Sequence, residues 1–365
     1  MQTPLASVQL EWDHGSLAPP IERCIVKLPK ERSAHADNQR GSGATLKEKH
    51  NRVKIQVRTH DNECTIYRLL SSRRGRPVIP VAQIYYSVKD TEAGRGILVL
   101  EDFSDKGATV PFMEGMNLNQ LNQIFDAIAD LHAYSLTNFV WKSEFPGADK
   151  RMLANISTLL ESCAELCRQE FPDIFPFSDD EIAVLANLDD MFERVYTPAD
   201  KMDYAPVIAH GDLSWSNVLF KYDPFRPRRV GDQLLAIIDW QGAHIGNYTE
   251  DMARLLCSSC SSLVRRKHTQ NLLRRYYDRL TTKVQIVPFT FEELQRQYSK
   301  LLINGAVGML LQTGLMLKCG VLTDASEDQK RRVIQRATTA LSDALRLRRQ
   351  EMAKLGGMFK AGGGH

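Results

Sequence analysis

One segment constrains this chain more than any other. QLLAIIDWQ (233–241) is an apolar run that stops at an acid, Asp239. Such a run is strand-sized and apolar on both faces, as a strand covered on both sides must be. An acid directly after it is held by rigid backbone and is poorly explained as a stray surface charge. Upstream, APVIAHGDL (205–213) is a second strand-like run, and it leads into HGDLSWSN (210–217). Asp212, Asn217 five residues later and Asp239 form a set of oxygens with a chemical use. Asn217 and Asp239 offer hard ligands that suit magnesium. Asp212 is a carboxylate, a group that can accept a hydrogen bond from an attacking hydroxyl and take its proton. A phosphoryl group in transfer carries spread negative charge that a metal ion neutralises. The pattern H-G-D-x-x-x-x-N is expected by chance at ~0.002 in a chain of this size, on naive residue frequencies.

The rest of the chain divides by pattern. ASVQLEW (6–12), ERCIVKLP (22–29), VAQIYYSV (81–88) and GILVLEDF (96–103) read as strands. A polar loop (31–45) and a long polar helix over 46–70 separate them. After Phe103 the period changes. Leu121, Ile124, Phe125, Ile128 and Leu131 recur at helical spacing. Ser178 with Glu181, Thr290 with Glu293 and Ser326 with Gln329 are capping boxes that open further helices. The expected fold is α+β, with a mainly β N-lobe (1–102), a mainly helical C-lobe (103–353) and a flexible tail (354–365).

The 365 residues are 43% hydrophobic and 25% charged, which excludes wholesale disorder and fibrous architecture. The net charge of +3 is too balanced to argue for nucleic acid. The basic clusters RRKH (265–268), LLRRYYDRL (272–280) and RLRRQ (346–350) read as solvated helix faces. MQTPLASVQLEWDHG (1–15) has neither the basic start nor the apolar core of a secretory signal, so the expected location is the cytoplasm. The seven cysteines are an odd number and read as reduced thiols; Cys257-Ser-Ser-Cys260 has no partner pair for a zinc site. LLINGAVGMLLQTGLMLKCGVL (301–322) carries Asn304, Gln312 and Lys318, and reads as a buried helix rather than a membrane span.

HGDLSWSN, AIIDWQ, Gly246 and DMARLL (251–256) together closely resemble the CHK-kinase-like, or ecdysteroid-kinase-like, group. That group belongs to the protein-kinase-like superfamily with choline kinases and aminoglycoside phosphotransferases. The resemblance runs from about residue 6 to 320, and its catalytic core is the specific part. It implies a two-lobed fold with a small antiparallel sheet in the N-lobe. It implies ATP and Mg2+ as cofactors and a small-molecule alcohol as acceptor, with steroid alcohols the best-known class. Lys27 in CIVKLPK looks like the strand lysine that grips the α- and β-phosphates. It alternates with Val26 and Leu28, so it points away from their face. Glu63 looks like the helix glutamate that holds the lysine. Glu101 to Phe103 resemble the hinge whose backbone bonds adenine. Asp212 is then the base, and Asn217 and Asp239 the metal ligands.

The remaining polar residues of these motifs have quieter expected roles. His132 and His210 are structural, Asp251 braces the helix start behind the loop, and Gln241, His244 and Asn247 edge the cleft. Nothing marks an aromatic cage for choline. The segment from Asp239 to Asp251 is short for a long activation loop, which disfavours a protein acceptor. The group also covers its phosphates with a turn after a first strand. This chain opens almost at the second strand, so its N-lobe reads as truncated. The competing expectation is therefore a catalytically silent kinase-like binding or regulatory module. The sequence assigns no oligomeric state.

Overall fold

The computed structural model describes residues 5–9, 21–29, 46–71, 78–93, 95–145, 156–185, 187 and 204–361. In chain order the elements are β1 (Leu5–Gln9), β2 (Arg23–Lys27), α1 (Leu46–Ser71), β3 (Ile84–Val88), α2 (Asp90–Ala93), β4 (Ile97–Glu101) and β5 (Gly107–Thr109). Then follow α3 (Leu118–Thr137), α4 (Ile156–Glu170), α5 (Asp179–Leu185), β6 (Val207–Ala209), β7 (Val218–Tyr222) and β8 (Val230–Ile237). The last are β9 (His244–Gly246), α6 (Glu250–Ser259), α7 (Ser262–Thr281), α8 (Phe291–Lys318) and α9 (Glu327–Ala361). The class is α+β. The elements fall into two compact units. One takes Met1–Thr109, Asn138–Pro146 and Asn217–His244; the other takes Val110–Thr137, Gly147–Ser216 and Ile245–His365.

The first unit is built on an antiparallel sheet of order β1-β2-β4-β3. β2 and β4 are its inner strands, and the register sets Lys27 opposite Leu98 and Cys24 opposite Glu101. The expected strand over 6–12 is β1 as far as Gln9, and its last residues and the 31–45 loop lie outside the described residues. On β2 Lys27 and Leu28 lie on opposite faces, as the alternation has it, and it is Lys27 that is covered: it is 7% exposed while Leu28 is 45% exposed. The reason is that Glu63 of α1 and Asp239 beyond β8 lie on the lysine's side, so the polar face is the covered one. The α1 helix was expected to be polar throughout, yet every residue from Asn62 to Tyr67 is buried. Polar side chains survive burial only with partners, so this turn of helix points at specific contacts. A second sheet, β5-β7-β8, completes the unit, with Val218 opposite Ile237. This hairpin carries Asn217 and Asp239 into the first unit, although chain order assigned them to the 103–353 lobe. β7 of this hairpin pairs with β5, with Gly107 opposite Lys221.

The second unit is helical. Leu121, Ile124, Phe125, Ile128 and Leu131 form the buried stripe of α3. The three capping boxes all form: the N–H of Glu181, Glu293 and Gln329 each donate to the preceding Ser or Thr hydroxyl. The apolar run from Leu301 is the middle of α8, which is long and apolar enough by composition to cross a membrane. Of its apolar window, 61% is buried inside the protein. Close approach fixes its neighbours. A Cβ on Gly305 would stand 2.6 Å from the Ala253 carbonyl oxygen of α6, and one on Gly314 would stand 2.3 Å from Cys163 Cβ of α4. The basic cluster at 265–268 differs from the solvated face expected of it. Arg265 is 4% exposed and pairs with Asp343 of α9 at 2.8 Å. Helical backbone in α9 runs to Ala361, through most of the segment expected as a tail.

Candidate active site

Lys27, Glu63 and Asp239 meet inside the first unit. Lys27 Nζ donates to both oxygens of Glu63 at 2.7 and 2.8 Å, and to Asp239 Oδ1 at 2.9 Å. Burial by itself would lower the Lys27 pKa, but the two carboxylates outweigh it and hold the pKa above the ordinary lysine value. Burial also pushes the Glu63 carboxyl up, against the pull of Lys27. Two carboxylates share one ammonium, so the cluster carries surplus negative charge that a divalent cation would relieve.

The backbone that presents Asp239 is unusual. Asp239 sits in the left-handed region at φ 63° and ψ 59°, directly before the 3-10 turn Trp240–Gly242. Asp tolerates that region better than most residues, and such strain persists only where neighbours enforce it. Here α1 enforces it. Asn62 Nδ2 donates to the carbonyls of Gln241 and Ala243, and the Trp240 N–H bears on the Glu63 carboxylate. Asn217 stands on the adjacent strand end. Its carbonyl accepts the Ile238 N–H at 2.9 Å, so the two expected metal ligands flank one rung of the β7–β8 ladder. Gln241 Nε2 also reaches Asp239 Oδ2 at 3.4 Å.

The second unit carries the loop of the expected base. From β6 the chain enters the loop carrying His210, Gly211 and Asp212. Asp251, buried in the first turn of α6, accepts the His210 N–H at 2.6 Å and the Gly211 N–H at 3.0 Å. Burial raises the Asp251 pKa, with His210 pulling the other way. His210 is itself buried, and its Nδ1 accepts the Asp212 N–H at 3.2 Å. Beyond Asp212, Trp215 packs against Phe112 with ring centroids 5.2 Å apart. The Asp212 carboxylate is bonded by Arg254, one turn along α6 from Asp251. Sequence reading missed Arg254. Positions i and i+3 of a helix share a face, which places Arg254 beside Asp251, but the sequence does not show what that face meets.

Other expected site residues divide. The Glu101 N–H is committed to the Gln83 carbonyl, and the Phe103 carbonyl accepts from Lys106 and Gly107. The Phe103 N–H lies outside those bonds. His244 is buried, with Nδ1 2.9 Å from the Gly242 carbonyl oxygen. Asn247 does not edge a cleft. It is 1% exposed, and its Oδ1 accepts both the Thr249 N–H and hydroxyl at 2.8 Å, which fixes the start of α6. His132 is buried beside Tyr276 OH at 2.9 Å. Burial pushes the Cys257 and Cys260 thiols up to about 11 and about 12, which leaves them protonated. Among the described residues no three His, Cys, Asp or Glu side chains cluster as metal ligands. Magnesium held by one or two side-chain oxygens plus phosphates needs no such cluster.

A family model described as "Uncharacterized oxidoreductase dhs-27" (DUF1679) matches residues 8–352. The "Uncharacterized kinase-like protein D1044.1" of Caenorhabditis elegans is 28% identical over 228 residues, covering 60% of this chain and 56% of that protein. The "Uncharacterized oxidoreductase dhs-27" of Caenorhabditis elegans is 24% identical over 262 residues, covering 68% of this chain and 30% of that protein. The chain thus spans about half the length of the first relative, at 56%, and under a third of the second, at 30%. Among solved structures, a choline kinase from Cryptosporidium parvum Iowa II aligns with a TM-score of 0.48 at 11% identity. That alignment covers 97% of this chain and 92% of the other.

Proposed function

Since this chain belongs to the family described as "Uncharacterized oxidoreductase dhs-27" and to the protein-kinase-like superfamily, we propose that it is an ATP- and Mg2+-dependent phosphotransferase acting on a small-molecule hydroxyl. The observation that carries the reading is the Lys27–Glu63–Asp239 cluster, in which Lys27 and Glu63 are buried and Asp239 is partly exposed. An ammonium held at this depth by two carboxylates is suited to gripping phosphate oxygens, and the surplus negative charge beside it to holding a divalent cation. The oxidoreductase name comes from a protein of which 30% is aligned here, and no activity passes with it.

In this reading Lys27, oriented by Glu63, binds the α- and β-phosphates. Asn217 and Asp239 hold the metal, which when bound neutralises charge on the transferring phosphoryl group. Asp212 accepts a hydrogen bond from the acceptor hydroxyl and takes its proton as the oxygen attacks. Asp251 and His210 fix the backbone on which Asp212 rides. The hinge around Glu101 and Phe103 receives the adenine through backbone groups. A small molecule such as a steroid-like alcohol is the acceptor class that the sequence resemblance favours, in a cytoplasmic setting.

The test is a titration with Mg·ATP followed by thermal shift, for the wild type and Asp239→Asn. Asn keeps the left-handed tolerance and removes the charge. At 100 times the dissociation constant, a ligand stabilises the fold by about 2.7 kcal/mol. A magnesium-dependent rise in Tm that the variant loses is the expected result. No rise in the wild type overturns the reading.

A further inference from the structure

Arg254 has no role in the function proposed above, yet it sits on the group that carries the chemistry. The α6 helix places Asp251 and Arg254 on one face. Asp251 takes the N–H groups of His210 and Gly211, and Arg254 takes the Asp212 side chain. One helical turn thus holds three consecutive residues of the loop. The Arg254 and Asp212 side chains are 36% and 38% exposed, so solvent reaches the pair from one side. The Arg254 Nε is buried, with no hydrogen-bond partner among the described residues. The other side of the guanidinium meets α8 at Gly308, where an added Cβ would stand 3.3 Å from Arg254 Nη1. The missing side chain at 308 is what gives the guanidinium its place.

We infer that Arg254 is a positioning residue for Asp212, holding the carboxylate in the orientation from which it accepts the hydroxyl proton. The inference rests on the phosphotransferase reading. A planar guanidinium fixes a carboxylate in direction as well as distance, which an ammonium does less well.

Turnover of Mg·ATP with water as the acceptor tests this without a known substrate. The enzymes compared are the wild type, Arg254→Met, Arg254→Lys and Arg275→Met. The last removes an exposed arginine that pairs with Asp126 at 2.6 Å, and serves as the control. Arg254→Met is expected to lower kcat by about tenfold, the size of one charge-assisted hydrogen bond, with KM for Mg·ATP unchanged. Arg254→Lys is expected to recover part of the loss, and Arg275→Met to match the wild type. Thermal melts of each variant show that it is folded. The inference is overturned by an Arg254→Met enzyme that keeps wild-type kcat, by a change confined to KM, or by a lysine variant no better than methionine. A wild type that gains Tm with Mg·ATP but turns none over also sinks it, while leaving nucleotide binding intact. A wild type with no Mg·ATP-dependent shift removes the phosphotransferase reading, and this inference falls with it.

Discussion

Lys27 carries its charge at a depth where only paired charges survive. It is 7% exposed and its two carboxylate partners lie within 2.9 Å. The pKa raised by Glu63 and Asp239 means that its stabilising contribution is fully present below the ordinary lysine pKa. That contribution is lost only as the pH climbs through the higher folded value, so at neutral pH it is whole. Lys27→Met therefore leaves Glu63 as a buried charge without a cation and Asp239, 29% exposed, without its ion pair, at a cost of about 3 kcal/mol. Adding Glu63→Gln to that variant should restore part of the loss. Urea denaturation of the three proteins checks this, and an equal loss in the double variant would remove the ion pair as the cause. The residues of this cluster could be singled out in the sequence because each lies in a short motif. The resemblance implied that Glu63 holds Lys27, but not that Asp239 joins them, since Lys27 and Asp239 are 212 positions apart. Arg254 escaped notice for a related reason. An arginine inside an amphipathic helix has an ordinary surface role unless its partner is known.

The elements were the most legible scale, because periodicity and caps are local. The helix expected over 46–70 spans Leu46–Ser71, and all three capping boxes close. The burial of Asn62 and Glu63 in that helix was hidden, since a polar segment looks solvated until something is packed on it. Helix contacts were hidden too. Gly305 looks like a weak point in α8, yet it is where α6 comes closest. Gly305→Ala gains about 1 kcal/mol of helix propensity. It also drives a methyl group to 2.6 Å from the Ala253 carbonyl oxygen, far inside contact distance. Overpacking of this kind costs about 1–3 kcal/mol, so the variant should melt at lower temperature than the wild type. A rise in Tm would show that α6 and α8 separate freely.

At the scale of the whole molecule, stability has a built-in acid response. Burial pushes His132 down to about 3, so the folded chain keeps it neutral. The unfolded chain takes that proton near the ordinary value of 6.5. As the pH falls below it, the unfolded state binds more protons than the folded one, and stability declines by up to about 1.4 kcal/mol per pH unit. Glu63 and Asp251, both raised by burial, act in the opposite sense, because the folded chain holds their protons more tightly. The difference between wild type and His132→Asn isolates the histidine. Its loss of stability from pH 6.5 to 5 should be smaller in the variant, as urea midpoints would show; identical slopes would refute it. The allocation of the chain to two units also belongs to this scale. The sequence by itself determined the α+β class, the capped helices and the loop and strand-end motifs, because these depend on residues within a few positions of one another. The tertiary structure alone decided that Lys27 faces two carboxylates, that Asn217 and Asp239 join the first unit, and that Arg254 grips Asp212. Each of those depends on contacts between segments far apart in the chain, and packing and pairing in three dimensions leave no periodic trace in a single sequence.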